Sequence, residues 1–284
     1  MLRIAIQSKG RLYDDTTSLL KEADVKVNRS ERALLVRSST FPIEVLYLRD
    51  DDIPETVASG VADIGIVGLN EVMERDENVK VVQHLGLSKC RLSIAVPKAE
   101  HYTGPQWLQG KRIATSYPHI LQKYLKEQDV KAQIHIITGS VEITPLIDLS
   151  DAIFDIVSSG STLVSNNLAE VETVLQSDAV VIANKHLDAE KKTILKELIF
   201  RFQSAIDAQG KKYVMMNAPK DRVDRILSIL PGSMKSPTII PLADDKWCSI
   251  HTVLDVHSFW EIIGQLKAAG AQGILVTPIE KIIG

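Results

Sequence analysis

The segment from Ser150 to Leu163 combines two acidic residues with a loop of small hydroxyl residues. Asp151 and Asp155 lie before and within a predicted apolar strand, where their carboxylates can accept hydrogen bonds from sugar hydroxyls. The residues that follow can surround a phosphate with backbone N–H groups and hydroxyls: Ser158, Ser159, Gly160, Ser161 and Thr162. This order suits a phosphorylated sugar, although a strand that runs into an ordinary serine-rich helix start would show the same pattern.

Three cations follow predicted strands in the first part of the chain. Lys9 and Arg11 come directly after the first strand, and Arg49 follows a strand over residues 43–48. An arginine fork and a lysine point charge can together bind a polyphosphate, whereas a solvated turn would carry the same residues without binding anything. We interpret the acids after Arg49, Asp50–Asp52, as a capped helix start.

Two further segments place polar side chains after predicted strands. Tyr117 precedes Pro118, which opens a predicted helix, and an aromatic ring there can stack on a base. Glu142 follows a Gly-Ser pair, and its carboxylate can bind a ribose hydroxyl, a metal-bound water or an amine, or act only as a capping-box acid. Because Tyr117, Glu142 and the loop 155–162 all follow strands of one predicted lobe, the sequence favours a shared site.

Short apolar runs alternate with helical patterns along the first two thirds of the chain. Predicted strands cover residues 2–6, 64–67, 92–96, 134–137, 153–157 and 180–183, and predicted helices cover 15–22, 54–59, 118–127 and 163–170. This alternation predicts α/β layers with mainly parallel sheets, in which ligands bind at the carboxyl ends of the strands. A strand over residues 89–96 leads into a second lobe and one over 179–183 returns, which predicts a cleft between two lobes.

The last part of the chain predicts a small additional domain. An amphipathic helix over residues 189–208 ends at Gly210. Beyond it, the patterns follow the order strand, helix, strand, strand, helix, strand, which is that of a ferredoxin-like unit. Such a domain, added to a complete two-lobed body, is better suited to sensing or assembly than to a second catalytic centre.

Composition and charge exclude several classes of protein. The 284 residues are 45% hydrophobic and carry a formal net charge of −3, which gives no basic field for nucleic acid or an anionic membrane. Cys90 and Cys248 are too few for a disulfide framework or a cysteine-rich metal site, and the N-terminal residues lack a signal-peptide core. We therefore expect a reduced, cytoplasmic protein. The motifs of P-loop kinases, dinucleotide-binding dehydrogenases, zinc proteases and serine esterases are absent from the sequence.

Together, these motifs resemble those of the ATP phosphoribosyltransferase family in its long form, which carries a C-terminal regulatory domain. The resemblance spans the chain and rests on KGRL at 9–12, LRDDDIP at 48–54, CRLSIA at 90–95, KRIATSYPH at 111–119, GSVE at 139–142, the loop 158–162, SPTIIPLAD at 236–244 and the ending ILVTPIEK. It implies a two-lobed, periplasmic-binding-protein-like catalytic body, with one lobe formed by residues 1–89 and 179–210 and the other by 90–178. An ACT-like, ferredoxin-like βαββαβ domain would follow over residues 211–284.

The resemblance implies a glycosyltransferase (pentosyltransferase) that condenses ATP with 5-phosphoribosyl 1-pyrophosphate to N1-(5-phosphoribosyl)-ATP and pyrophosphate. This is the first step of histidine biosynthesis. The family further implies a requirement for Mg²⁺, bound mainly through the pyrophosphate, feedback inhibition by histidine, and homodimers and hexamers. A non-catalytic nucleotide or small-ligand sensor is the alternative, because two-lobed bodies of this type also serve as binding proteins.

The resemblance also assigns roles to residues of the two lobes. The loop 158–162 would hold the 5-phosphate, and Asp155 and Asp151 would contact the ribose. Glu142 would assist nearby, and Tyr117 would contact the nucleotide. The cations that would offset phosphate charge are Lys9, Arg11 and Arg49.

Histidine contacts of the family correspond to residues of the C-terminal domain, namely Asn217, Met234, Thr238, Val253 and Gly273. Asn217 stands where the family has an acidic residue. Because an amide binds an ammonium group less strongly than a carboxylate does, this difference predicts weaker inhibition by histidine.

Overall fold

The computed structural model describes residues 1–30, 33–231 and 237–284. Contacts divide the chain into two compact units, Met1–Ile199 and Phe200–Gly284. The division falls inside the helix Ala189–Ala208, ahead of the boundary predicted after residue 210, and the predicted domain limits stay a prediction. Within the described ranges, no helix combines the length and the apolar character needed to cross a membrane.

The first unit alternates strands with short helices. Its strands are β1 (Leu2–Gln7), β2 (Leu35–Arg37), β3 (Ile43–Leu48), β4 (Ile64–Gly68), β5 (Val79–His84), β6 (Cys90–Pro97), β7 (Arg112–Thr115), β8 (Gln133–Ile136), β9 (Ala152–Val157), β10 (Leu168–Ser177) and β11 (Ala179–Asn184). Its helices are α1 (Arg11–Glu22), α2 (Ile53–Ala58), α3 (Leu69–Arg75), α4 (Pro118–Glu127) and α5 (Ser161–Ser165), and α6 (Ala189–Ala208) begins in this unit.

These strands form two sheets, with the orders β2-β3-β1-β4-β11-β5 and β10-β6-β9-β7-β8. Lobe I denotes the six-stranded sheet with its helices, and lobe II the five-stranded sheet with its helices. The predicted two-lobed α/β body is confirmed. The expectation of mainly parallel sheets is wrong, because five of the nine strand pairings described for these two sheets are antiparallel, namely β2–β3, β4–β11, β5–β11, β6–β9 and β6–β10. The chain re-enters lobe I at the start of β11, so this strand runs away from the cleft toward which β1 and β4 run.

The centre of lobe I is packed too tightly for a side chain at Gly65. A Cβ atom there would lie 2.6 Å from Cγ2 of Ile53 and 3.1 Å from Cγ2 of Val57, both on α2. Glycine therefore lets α2 pack directly on β4. This packing fixes the carboxyl end of β4, from which α3 starts.

One predicted helix of lobe II is wrong in extent. The sequence predicts a helix over residues 163–170, but α5 ends at Ser165 and β10 begins at Leu168. Asn167, which adopts a left-handed backbone with φ of +56°, separates the two elements. The β-branched residues of the following segment favour a strand, and Glu170 pairs with Arg91 of β6.

The second unit contains β12 (Lys211–Pro219), α7 (Val223–Ile229), β13 (Thr238–Pro241), β14 (Trp247–Asp255), α8 (Val256–Ala268) and β15 (Gln272–Pro278). The sheet order is β13-β14-β12-β15, and all neighbours are antiparallel. Alternate residues such as Val214, Met216 and Ile250 are buried with Phe259 and Leu266 of α8. The predicted ferredoxin-like βαββαβ unit is confirmed.

Candidate functional site

A cleft of about 530 Å³ lies in the first unit, lined by residues of both lobes. The carboxyl ends of β1, β4 and β9 meet there, as expected for an α/β protein. The predicted site residues that the cleft brings together are Arg11, Tyr117, Glu142, Asp155, Ser158, Ser159, Gly160 and Thr162.

The loop between β9 and α5 forms one wall of the cleft. Gly160 has a φ of +81°, a left-handed conformation that glycine adopts without strain. Ser159 and Ser161 lie on either side of it, with their hydroxyl oxygens 3.0 Å apart. Ser161 itself begins α5 next to the cleft lining. The loop thus presents hydroxyls and backbone N–H groups within a few residues, which is the arrangement that binds a phosphate.

Two arginines hold the start of this loop. Arg11 at the start of α1 donates from Nη1 to Oγ of Ser158 at 2.9 Å and from Nη2 to the carbonyl of Lys89 at 2.9 Å. Arg91 on β6 donates a hydrogen bond to the carbonyl of Ser158 at 3.1 Å. Its guanidinium also forms a bidentate ion pair with the carboxylate of Glu170. The motif CRLSIA contains Arg91, but only the register between β6 and β9 shows that it reaches the loop.

Lobe II contributes two carboxylates to the cleft. Asp155 on β9 is half-buried, and its Oδ1 accepts a hydrogen bond from the N–H of Ile156 at 2.8 Å. Burial, helped by the nearby carboxylate of Glu142 and opposed by that hydrogen bond, raises the pKa of Asp155 to about 6. Glu142 lies in a 3₁₀ turn, Val141–Ile143, and lines the cleft. At neutral pH, Asp155 is therefore an ionised acceptor in poorly hydrated surroundings.

Lobe I contributes polar residues that the sequence interpretation missed. Asn70 and Glu71 begin α3 directly after β4 and are only 4% and 7% exposed, although both line the cleft. Asp50, interpreted above as part of a helix cap, also lines the cleft. Asp52 is the N-cap residue of α2, but its side chain makes no capping hydrogen bond within the described residues. Polar residues directly after the apolar strand β4 were the signal that could have revealed this wall.

Burial and, to a smaller extent, the negative charge of Asp50 raise the pKa of Glu71 to about 7, although a hydrogen bond from Tyr117 opposes them. Arg75, four residues along α3, offsets part of this effect from 3.9 Å. With a pKa of about 7, Glu71 titrates close to neutral pH, and it lines the cleft.

Tyr117 joins the two walls. Its backbone N–H donates to Oγ1 of Thr115 at 2.8 Å, and its hydroxyl accepts a hydrogen bond from Nδ2 of Asn70 at 3.3 Å. Burial raises the pKa of Tyr117, and the charges of Glu71 and Asp155 raise it further, so the phenol stays neutral. A neutral phenol between two carboxylates can donate a hydrogen bond to either of them or to a ligand.

The start of α4 is also tied to lobe I. Glu74 at the end of α3 accepts hydrogen bonds from the backbone N–H groups of His119 and Ile120, each at 3.0 Å. A carboxylate at a helix N-terminus is favourable because of the helix dipole. This contact places Tyr117, which directly precedes α4, against α3.

Asp151, which is predicted to contact the ribose, is not among the residues that line the cleft. It lies at the amino end of β9, about 13 Å from Asp155 at the rise of a strand. Its carboxylate accepts hydrogen bonds from the backbone N–H of Arg112 at 2.8 Å and from the guanidinium at 2.9 Å. These bonds lower the pKa of Asp151. This carboxylate thus pairs with Arg112 at the start of β7, and its contact with the ribose stays a prediction.

Two of the predicted cations lie outside the cleft lining. Lys9 lines a separate pocket of about 400 Å³ together with Tyr13 and Arg29. Arg49 is 77% exposed and directs its Nε toward Asp51 at 3.3 Å. Neither residue has the position that Arg11 occupies beside the loop 158–162.

The predicted histidine contacts fall on the sheet of the second unit. Asn217 on β12 and Gly273 on β15 are neighbours, since a Cβ atom at Gly273 would lie 3.5 Å from Nδ2 of Asn217. Thr238 lies on β13 and Val253 on β14, while Met234 falls outside the described residues. The roles of these residues stay predictions.

Comparison with known proteins agrees with the motifs. The family model described as ATP phosphoribosyltransferase matches residues 49–204, and that of the HisG C-terminal domain matches residues 208–281. The ATP phosphoribosyltransferase of Bacteroides thetaiotaomicron is 62% identical over 283 residues, with 100% of both chains covered. That of Cytophaga hutchinsonii is 53% identical, with 100% of this chain and 99% of the relative covered.

Among solved structures, the ATP phosphoribosyl transferase (HisG:HisZ) complex from Thermotoga maritima aligns with a TM-score of 0.63 and 29% identity. The alignment covers 72% of this chain and 96% of that chain. The resemblance inferred from the sequence motifs is thus confirmed over the full chain. The chain belongs to the ATP phosphoribosyltransferase family, in the long form that carries the HisG C-terminal domain.

Proposed function

We propose that this protein transfers the phosphoribosyl group of 5-phosphoribosyl 1-pyrophosphate to N1 of ATP and releases pyrophosphate, the first step of histidine biosynthesis. Family membership makes the protein a pentosyltransferase. The observation that carries the proposal is the meeting, in one cleft, of the hydroxyl-rich loop with the half-buried carboxylate of Asp155. A non-catalytic sensor is not favoured, because the full-length relatives are named as enzymes.

The reaction demands positioning more than covalent chemistry. The lone pair of adenine N1, a weak nucleophile, forms the bond to C1′ while the C1′–O electron pair leaves with pyrophosphate. Positive charge develops on the ribose ring in between. The loop 158–162 holds the 5-phosphate, and Arg11 adds a positive charge beside it. Asp155 accepts hydrogen bonds from ribose hydroxyls, and its negative charge stabilises the oxocarbenium-like centre.

The donor set of the cleft fits Mg²⁺ only as an ion carried by the substrates. Within the described parts of the chain, no group of three or more His, Cys, Asp or Glu side chains is arranged to hold a metal ion. The cleft does offer hard oxygen atoms on Asp155 and Glu142. Mg²⁺ characteristically keeps several waters and binds substrate phosphates together with one or two carboxylates. When bound, it would neutralise charge on the departing pyrophosphate.

Histidine inhibition, and assembly into homodimers and hexamers, are further parts of the proposal and rest on the family alone. Asn217 and Gly273 would form the centre of the histidine site. We expect Asn217→Asp to lower the histidine concentration needed for half-inhibition by about tenfold, because a carboxylate pairs with the ammonium group. Activity without histidine should stay unchanged. Unaltered inhibition in this variant would remove Asn217 from the site.

The direct test is to mix the purified protein with ATP, phosphoribosyl pyrophosphate and Mg²⁺, then follow adduct absorbance and pyrophosphate release. Thr162→Val removes a loop hydroxyl and should raise the KM for phosphoribosyl pyrophosphate by about tenfold. The matched control is Thr193→Val on α6, where the hydroxyl donates to the carbonyl of Ala189 in the same helix. Absence of adduct with the wild-type protein would refute the proposed function. Equal kinetics for both valine variants would refute the loop assignment.

A further inference from the structure

Glu71 is a buried carboxylate in the lobe I wall of the cleft. Its Oε1 accepts a hydrogen bond from Nδ2 of Asn70 at 3.0 Å. Asn70 is itself fixed, because its Oδ1 accepts a hydrogen bond from Oγ of Ser177 at 2.9 Å and its backbone N–H donates to the same hydroxyl at 3.1 Å. This orientation directs the amide NH₂ group toward Glu71 and Tyr117.

Glu71 also accepts a hydrogen bond from the hydroxyl of Tyr117, and its two oxygens still have acceptor capacity for a ligand. Oε2 lies 3.9 Å from Nε of Arg75, beyond hydrogen-bond distance. Asp50 and Asp51 add further negative charge to its surroundings. Burying a carboxylate near other acids is unfavourable unless a donor compensates for it. The wall therefore suits a ligand that brings a hydrogen-bond donor.

We propose that Glu71 accepts a hydrogen bond from the exocyclic amino group of ATP and selects adenine over purines with a carbonyl at C6. This inference rests on the proposed function. The loop 158–162 belongs to lobe II and Glu71 to lobe I, and both line the same cleft, so a purine bound against lobe I would face a sugar held by the loop. Because N1 must stay free to attack, recognition of this edge falls to the adjacent amino group, which donates hydrogen bonds. An ionised carboxylate is an acceptor only, and it would repel a carbonyl oxygen.

The same contact gains strength during the reaction. When the N1 lone pair forms the bond to C1′, pyrophosphate takes the electron pair of the broken C1′–O bond. The adenine then carries a positive charge shared between N1 and the amino nitrogen. Its amino hydrogens become stronger donors to Glu71, and no proton has to move. An interaction that strengthens in this way lowers the barrier rather than only tightening binding.

Protonation of Glu71 would turn the acceptor into a donor. Its pKa of about 7 follows from burial and the charges of Asp50 and Asp51, opposed by Arg75 and a hydrogen bond from Tyr117. We expect kcat/KM for ATP to rise with pH through this region in the wild-type protein. Glu71→Gln should lack that limb of the profile, while the separate titration of Asp155 remains.

The decisive experiment compares ATP with purine riboside triphosphate, which has N1 but no amino group. Glu71→Gln should lower kcat/KM about 10- to 100-fold with ATP and little with the analogue. The two purines differ in intrinsic nucleophilicity, but this difference affects both proteins equally. It therefore cancels when the kcat/KM of the variant is divided by that of the wild-type protein for each nucleotide. Glu55→Gln, an exposed change on α2, is the matched control and should leave both values unchanged.

Each outcome separates the possibilities. Equal losses with both nucleotides would show that Glu71 only supports Asn70 and Tyr117, and would overturn the inference. No loss with either nucleotide would overturn it as well. Wild-type protein that forms no adduct from ATP would instead refute the proposed function. Unfolding curves of Glu71→Gln, together with its affinity for phosphoribosyl pyrophosphate, would show whether the variant retains the fold.

Discussion

Replacing Asp155 with asparagine should make the protein more stable at alkaline pH while it lowers turnover. The pKa of Asp155 is raised from its ordinary 3.8 to about 6, so folding disfavours the ionised form. The stability that this group contributes is fully present below pH 3.8 and is lost as the pH rises through about 6. Since one pH unit corresponds to about 1.36 kcal/mol, ionisation of Asp155 costs about 3 kcal/mol at pH 8.

Asparagine keeps the shape of the side chain and can accept the same hydrogen bond from the N–H of Ile156, but it does not ionise. The variant and the wild-type protein should therefore unfold at nearly the same urea concentration at pH 4. At pH 8 the variant should be more stable by up to about 3 kcal/mol, or roughly 5–10 °C in Tm for a unit of this size. Pyrophosphate release should fall by about 100-fold or more, because a charge that stabilises the transition state is lost.

Urea unfolding at pH 4, 5, 6, 7 and 8, followed by near-ultraviolet circular dichroism, would measure this difference. Asp245→Asn, an exposed change in the second unit, serves as the control and should show no comparable pH-dependent gain. A variant at Asp155 that is no more stable than wild type at pH 8 would refute the argument from burial. A gain of the same size at every pH would refute it as well, since it could not come from ionisation.

Three other changes test the supports of the cleft. A lysine in Arg91→Lys cannot reproduce the forked guanidinium contacts with Glu170 and the carbonyl of Ser158. We therefore expect KM for phosphoribosyl pyrophosphate to rise about tenfold with a smaller change in kcat. Steady-state kinetics would contradict this if KM for ATP rose instead. Asp151→Asn should leave kinetics unchanged and lower stability by about 1 kcal/mol at pH 7, since the bonds to Arg112 are partly exposed. Because the pKa of Asp151 is lowered, the loss of stability should become smaller as the pH falls. Urea midpoints measured at pH 3 and pH 7 would contradict this if the loss were the same at both pH values. Gly65→Ala should lower stability by about 1–3 kcal/mol through the clash with Ile53, and an unchanged Tm would show that α2 moves freely.

The order of elements was predictable where local patterns decide it. Pro118 opens α4 at the predicted residue, and the alternating burial of β12 and β14 matches a one-sided sheet. Strand β10 was missed because its stability comes from pairing with β6, including the ion pair between Glu170 and Arg91. Such pairing joins residues far apart in sequence and leaves no local periodic signal.

Apart from Arg11, the site was predictable only on the lobe II wall. The hydroxyl loop and Asp155 follow each other in sequence, so their proximity was visible without a fold. Glu71 was not, because its burial depends on contacts with Tyr117 and on the end of β4. Asp151 is the converse case, because it is close to Asp155 in sequence but lies at the opposite end of β9.

The most direct test of the account is a crystal structure of the protein with phosphoribosyl pyrophosphate and Mg²⁺. We expect the 5-phosphate to contact the N–H groups and hydroxyls of residues 158–162, with the ribose hydroxyls on Asp155 and C1′ directed toward the wall that carries Glu71. A sugar phosphate bound elsewhere, with this loop still closed on Arg11 and Arg91, would contradict it.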